Sequence, residues 1–171
     1  MADFSVAYPS DVSVTFLVEV RNNEFVTEPD PAGLALPVRE LRRVRGQEEI
    51  RSGDLPPVLP EDELVPLVMN LCYRAVSKLI ENRHAVVGYT DSYGYLRLDL
   101  EGDLVRLSGD GVPDVRVLAA PFAVAAVDCG SRFRRWLRRC ELDGDIEAID
   151  AGLAEAEAAA RRALPGYARL R

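Results

Sequence analysis

His84 is the only histidine in the chain, so one imidazole is available as a general base and no multi-histidine metal site can be assembled. It follows Arg83 at the expected junction of a helix and a strand, where a capping or solvent-facing histidine is the ordinary outcome. Catalytic work there would need an acid such as Asp91 or Asp99 beside it. Cys72, Cys129 and Cys140 are an odd set of thiols. Cys129 and Cys140 fall on one expected helix about 16 Å apart at ~1.5 Å rise per residue, too far for a disulfide, so both read as small core residues. The phosphate-cradling pattern G-x-x-x-x-G-K-[ST], the dinucleotide pattern G-x-G-x-x-G, and H-E-x-x-H, C-x-x-C and G-x-S-x-G are all missing. Gly109-Asp110-Gly111 lies between two expected strands and reads as a turn. The acidic turns at 99–103, 110–114 and 143–145 lack the ligand spacing of a calcium loop. No catalytic residue, metal or cofactor is expected.

What remains is charged surface. Asp99, Glu101, Asp103, Asp110 and Asp114 belong to neighbouring strands and turns, and together they are expected to form an acidic surface suited to steering a basic protein partner. Arg132, Arg134, Arg135, Arg138 and Arg139 surround Phe133 and Trp136 in SRFRRWLRR. Because the aromatics recur at core spacing, the cluster is expected to serve intramolecular pairing or a protein partner, not base stacking. Tyr89, Tyr93 and Tyr95 gather around the turn DSYG, where exposed tyrosines can anchor an interface. The candidate partner-binding set is Tyr93, Asp99, Glu101, Asp103, Asp110, Asp114, Arg134, Arg135 and Arg138.

The elements that position these residues follow from periodicity. Val12, Val14, Phe16, Val18 and Val20 alternate with less apolar residues as one strand, and Arg21-Asn22-Asn23-Glu24 turns it toward a short return at 25–27. Pro29 and Pro31 then break regular structure. Residues 34–51 fit either a short helix or a strand and are read as a strand, inside an irregular Pro- and Arg-containing insertion at about 28–60. An amphipathic helix is expected over 64–82, with Pro66 in its first turn and Glu61, Asp62 and Glu63 at the positive end of its dipole. Four strands, near 85–90, 95–100, 104–107 and 115–119, form a meander with one buried side. Two helices follow. Pro121 suits the first position of one, whose seam is Phe122, Ala126, Cys129, Phe133, Trp136 and Cys140. Gly144 and Asp145 then separate it from the other, whose seam is Ile146, Ile149, Leu153, Ala156, Ala160 and Ala163. The fold class is α+β: one mostly antiparallel sheet, the first strand plus the meander, covered on one face by about three helices.

With 171 residues and 48% hydrophobic composition, the chain is expected to be a single domain with a substantial core. Its net charge of -7 disfavours general nucleic-acid binding. The basic residues gather at the C-terminal end: positions 121–171 hold 9 bases and 8 acids, against 6 and 10 in each preceding sixty. A single lysine among 21 basic residues matches the bias of a GC-rich bacterial coding sequence. With no basic-then-apolar leader and no long apolar run, a cytosolic protein with reduced thiols and no membrane role is expected.

The succession LCYRAVSKLI, YLRLDLEGDLVRL and CGSRFRRWL over residues 64–140 resembles the layout of small bacterial immunity proteins of polymorphic-toxin systems. That resemblance implies stoichiometric neutralisation of a toxin, without catalysis or cofactor. The expected function is therefore a non-catalytic cytosolic binding module of immunity or antitoxin type, able to dimerise, acting on a basic effector. The alternatives are a secretion chaperone, which needs an exposed apolar groove, and a small-ligand binder or enzyme, which needs a pocket converging on His84.

Overall fold

In the computed structural model, residues 7–34, 40, 43–90, 92–142 and 146–171 are described. The alternating N-terminal segment forms β1, Val12–Arg21, with Val14, Phe16 and Val18 buried. A tight turn with Asn23 at φ 60 returns it as β2, Glu24–Thr27. After a 3-10 turn at Pro31–Gly33 come β3, Arg45–Ser52, and the short β4, Glu61–Glu63. These four strands make one antiparallel sheet in the order β2-β1-β3-β4. The expected irregular insertion thus holds a strand placed between β1 and β4. The remaining part of the expected strand, at 35–39 and 41–42, lies outside the described residues.

Helix α1 runs through Leu64–Met69, a π-helical turn Asn70–Arg74, and Ala75–Asn82, with right-handed helical backbone at the junctions. Its stripe Leu64, Leu67, Leu71, Ala75, Val76 and Leu79 is buried, and Arg74, Lys78 and Glu81 are exposed. The π turn adds one residue to the repeat, and Leu71, Cys72 and Tyr73 consequently all face inward. Of the three acids expected at the dipole, only Glu63 caps the helix, because all three pair with β3 as strand residues first. Arg83, in the left-handed conformation, ends the helix.

The meander forms as β5, His84–Gly88, β6, Tyr95–Glu101, β7, Leu104–Gly109, and β8, Val115–Leu118, an antiparallel sheet in sequence order. The expectation that β1 extends this sheet is corrected: β1 bonds to its own hairpin partner β2 and to β3, which fills both its edges. The fold class is α+β, with two four-stranded antiparallel sheets in place of one.

Helix α2, Ala119–Arg139, buries the expected seam; Pro121 is its third residue, because the N–H of Ala119 already bonds the Asp103 carbonyl and starts the helix earlier. Helix α3, Ile146–Ala163, buries Ile146 to Ala160 of its seam but exposes Ala163, and a short α4, Tyr167–Leu170, places Tyr167 in the core. The separator residues Gly144 and Asp145 lie outside the described residues. Helix α1 packs on β3, β4, β5 and β6, α2 packs on β1, β7 and β8, and α3 lies against α1 and α2. One apolar cluster joins them, centred on Phe16 edge-on to Phe133 at 5.2 Å and beside Trp136 at 5.9 Å. The Trp136 indole N–H donates to the Pro29 carbonyl at 2.8 Å, tying the proline segment to α2.

Candidate functional site

Strand alternation sorts the second sheet into two faces. Ala85, Val87, Leu96, Leu98, Val105, Leu107, Val115 and Val117 point into the core. The other face carries a row His84, Asp99, Arg106, Arg116, one residue from each strand in direct register, and beside it Val86 opposite Arg97 and Gly88 opposite Tyr95. Val86 is 51% exposed, Tyr95 43%, and Tyr93 in the adjoining turn fully so.

The five acids predicted as partner-binding lie on this face or its rim, but three of them are held internally. Asp99 accepts from His84 Nδ1 at 2.8 Å and Arg97 Nε at 2.8 Å. Partial desolvation opposes ionisation of Asp99, but those two hydrogen bonds and charges hold its carboxyl below the ordinary carboxylate range. Arg106 forks onto Asp114 at 3.0 and 2.6 Å, which lowers that carboxyl by hydrogen bonding first and charge second. Arg116 reaches Glu101 at 2.8 Å. Asp110 is exposed and accepts the Tyr95 N–H, and Asp103 is exposed in the β6–β7 turn. The expectation of a continuous acidic field is therefore corrected to a mixed lattice, because Arg97 of β6, Arg106 of β7 and Arg116 of β8 reach Asp99, Asp114 and Glu101 respectively.

The arginine cluster divides likewise. Arg134 is engaged by Asp150 of α3 at 2.9 Å, Arg139 pairs with Asp30 at 3.8 Å, and Arg132 donates to the Val14 carbonyl at 2.6 Å and lies 3.5 Å from Glu28. Arg135 and Arg138 are exposed, with no ion pair among the described residues. Sequence order put these residues on one helix; the structure does not bring them onto the acidic face. His84 stands on the open sheet face with its side chain 44% exposed, and Asp91 lies outside the described residues. A cavity of about 590 Å3 opens nearby, lined by Arg83, Leu100, Leu118, Pro121, Leu164 and Leu170, without His84.

A second constellation escaped the sequence reading. Glu48, on the inward side of β3, is fully buried with Cys72 of the π turn and Cys129 of α2. The Cys72 thiol donates to Glu48 Oε1 at 3.0 Å, Cys129 Sγ lies 3.8 Å from the same oxygen, and Oε2 is buried without a hydrogen-bond partner. Burial pushes the Glu48 carboxyl and the Cys72 thiol well up, whereas the Cys72 thiol and the Arg132 guanidinium beside Cys129 bring that thiol down. Two thiols and a carboxylate are donors of the kind that hold a soft divalent cation. The only sequence signal was a charged residue at an inward strand position, visible only once the register of β3 is known.

Fold and surface together define an α+β protein in which the outer face of the second sheet carries exposed side chains. No protein family, curated protein or solved structure matches the chain. Among the described residues no helix is long and apolar enough to cross a membrane.

Proposed function

We propose that the chain is a non-catalytic protein-binding module of the immunity or antitoxin kind, occluding a basic protein effector with the outer face and turn rim of the second sheet. The observation that carries this reading is the uncovered face, where Val86, Tyr93 and Tyr95 stand exposed beside ordered ion pairs. Rigid aromatic anchors surrounded by polar groups are the usual composition of a protein interface. Pairing of Asp99, Glu101 and Asp114 with the three arginines leaves Asp103 and Asp110 as surplus negative charge, which suits a partner carrying excess lysine or arginine.

The test is cross-linking in the source cell, followed by reconstitution with the protein recovered. A stoichiometric complex that weakens with salt, and that Val86→Asp together with Tyr95→Ser weakens by at least about tenfold, is the expected result. Turnover of the partner, or a complex indifferent to both substitutions, would overturn the reading. Sensitivity at Leu164 and Leu170 instead would favour a chaperone that takes its client's apolar segment into the cavity between α2 and α4.

A further inference from the structure

The Glu48, Cys72 and Cys129 side chains belong to three separate elements, β3, α1 and α2. We propose that they form a structural binding site for one thiophilic divalent cation of the zinc class, clamping β3, α1 and α2 together.

Geometry is the first support. A tetrahedral zinc ion with bonds of about 2.3 Å to sulfur and about 2.0 Å to oxygen separates its sulfur and oxygen ligands by roughly 3.5 Å, and two sulfurs by about 3.8 Å. The two thiols stand 3.0 and 3.8 Å from Glu48 Oε1, with all three donor atoms within 4.8 Å of one another. The sulfur–oxygen distances of 3.0 and 3.8 Å each lie within about 0.5 Å of the separation that zinc requires. Glu48 Oε2, buried without a hydrogen-bond partner, lies on the same carboxylate and would add a second, longer oxygen contact that completes a distorted four-coordinate shell.

Charge balance is the second. Two thiolates and a carboxylate bring three negative charges; the cation answers two, and the Arg132 guanidinium, beside Cys129 and shared with Glu28 at 3.5 Å, offsets part of the third. Such compensation favours charge in a fully buried centre. Two oxygens cannot satisfy calcium or magnesium, which take six or more oxygen ligands, while thiolates select softer ions.

Two backbone devices bring the donors together. The π turn directs Cys72 inward, and π turns inside α-helices are frequent at functional sites. Gly130, next to Cys129, lets α2 approach: a Cβ there would stand 3.2 Å from Cys72 Cβ and 2.6 Å from Leu153 Cδ2. On binding, each donor that still carries its proton releases it to solvent as the bond to the cation forms, and no electron changes hands.

The experiment is refolding of the full chain under reducing conditions with cobalt(II), followed by competition with zinc(II). One equivalent of cobalt should give the visible bands of a tetrahedral ion and a near-ultraviolet sulfur-to-cobalt band, both lost on adding zinc. Cys129→Ser and Glu48→Gln should each weaken cobalt by at least about tenfold, whereas Cys140→Ser, altering a buried thiol outside the trio, should not. Where a variant does not refold, thermal unfolding decides: zinc should raise the melting temperature of the wild type and Cys140→Ser equally. Six-coordinate cobalt spectra, bands that survive Cys129→Ser, no zinc-dependent shift in the wild type, or a Cys72–Cys129 disulfide in freshly prepared protein that refuses metal after reduction would each overturn the proposal.

Discussion

At the scale of single residues, the informative groups are buried acids that composition could not single out. Glu48 has its carboxyl raised by burial, so in metal-free protein the folded state favours the neutral acid. The unfolded chain releases that proton near pH 4.3, about the ordinary glutamate value, and the folded chain only higher. The stability that the neutral acid contributes is therefore present below about pH 4.3 and is lost as pH rises through the folded value. In chelator-treated protein, the wild type should lose stability relative to Glu48→Gln as pH climbs through that window, measured by urea midpoints; parallel curves would refute it. Asp99 has the opposite sign. Its lowered carboxyl stabilises above about pH 4 and ceases to do so as pH falls through the folded value, so Asp99→Asn should flatten the acid limb. Asp62, fully buried, accepts from the Thr90 N–H at 2.7 Å and its hydroxyl at 2.8 Å. Replacing it with alanine orphans both donors and should cost about 2–3 kcal/mol in denaturant unfolding.

Among the elements, those with an apolar stripe or alternation were legible: β1, α1, the meander and α2 lie within a few residues of where periodicity puts them. Strand β3 falls inside the stretch 34–51, which fits a helix or a strand and is read as a strand without β3's own start, and its inward row shows why the pattern is ambiguous. Gly46, Glu48, Ile50 and Ser52 are all buried, yet only Ile50 is a hydrophobe, so the segment reads as polar along the chain. Gly46 is inward because its missing Cβ leaves room for the Leu17 carbonyl and Leu64, and Glu48 because it faces two thiols. The π turn was equally hidden, since one extra residue in a helical repeat leaves the apolar stripe nearly intact. Helix contact also depends on absent atoms: a Cβ at Gly152 would stand 2.3 Å from Tyr73 Cε2. Gly152→Ala gains about 1 kcal/mol in helix propensity but forces an overpacked ring worth about 1–3 kcal/mol. A net loss of stability is expected in a urea titration, and a net gain would mean that the Tyr73 ring yields freely.

For the whole molecule, the decisive feature is which charges are consumed by folding. Arg134 is tied to Asp150 across α2 and α3, while Arg135 and Arg138 project outward from the same helix. Arg134→Gln should lower stability by about 0.5–1 kcal/mol, and the pair Arg135→Gln with Arg138→Gln should change it by less than about 0.5 kcal/mol. Equal losses from both would mean that the outer arginines carry tertiary contacts as well. The same separation governs the sheet: Arg97, Arg106 and Arg116 pair with Asp99, Asp114 and Glu101, and the exposed face is left to Val86, Tyr93 and Tyr95.

The sequence by itself determined the α+β class, the extent of α1, the order of the meander and the seam of α2, because burial of an apolar face imposes a period that survives in one dimension. Only the tertiary structure decided that β1 and β3 build a separate sheet, that the acidic rim is cross-paired, and that Glu48, Cys72 and Cys129 converge. Those outcomes depend on pairing between residues up to 81 positions apart, such as Glu48 with Cys129. Register and packing set such distances, and neither leaves a local pattern in the chain.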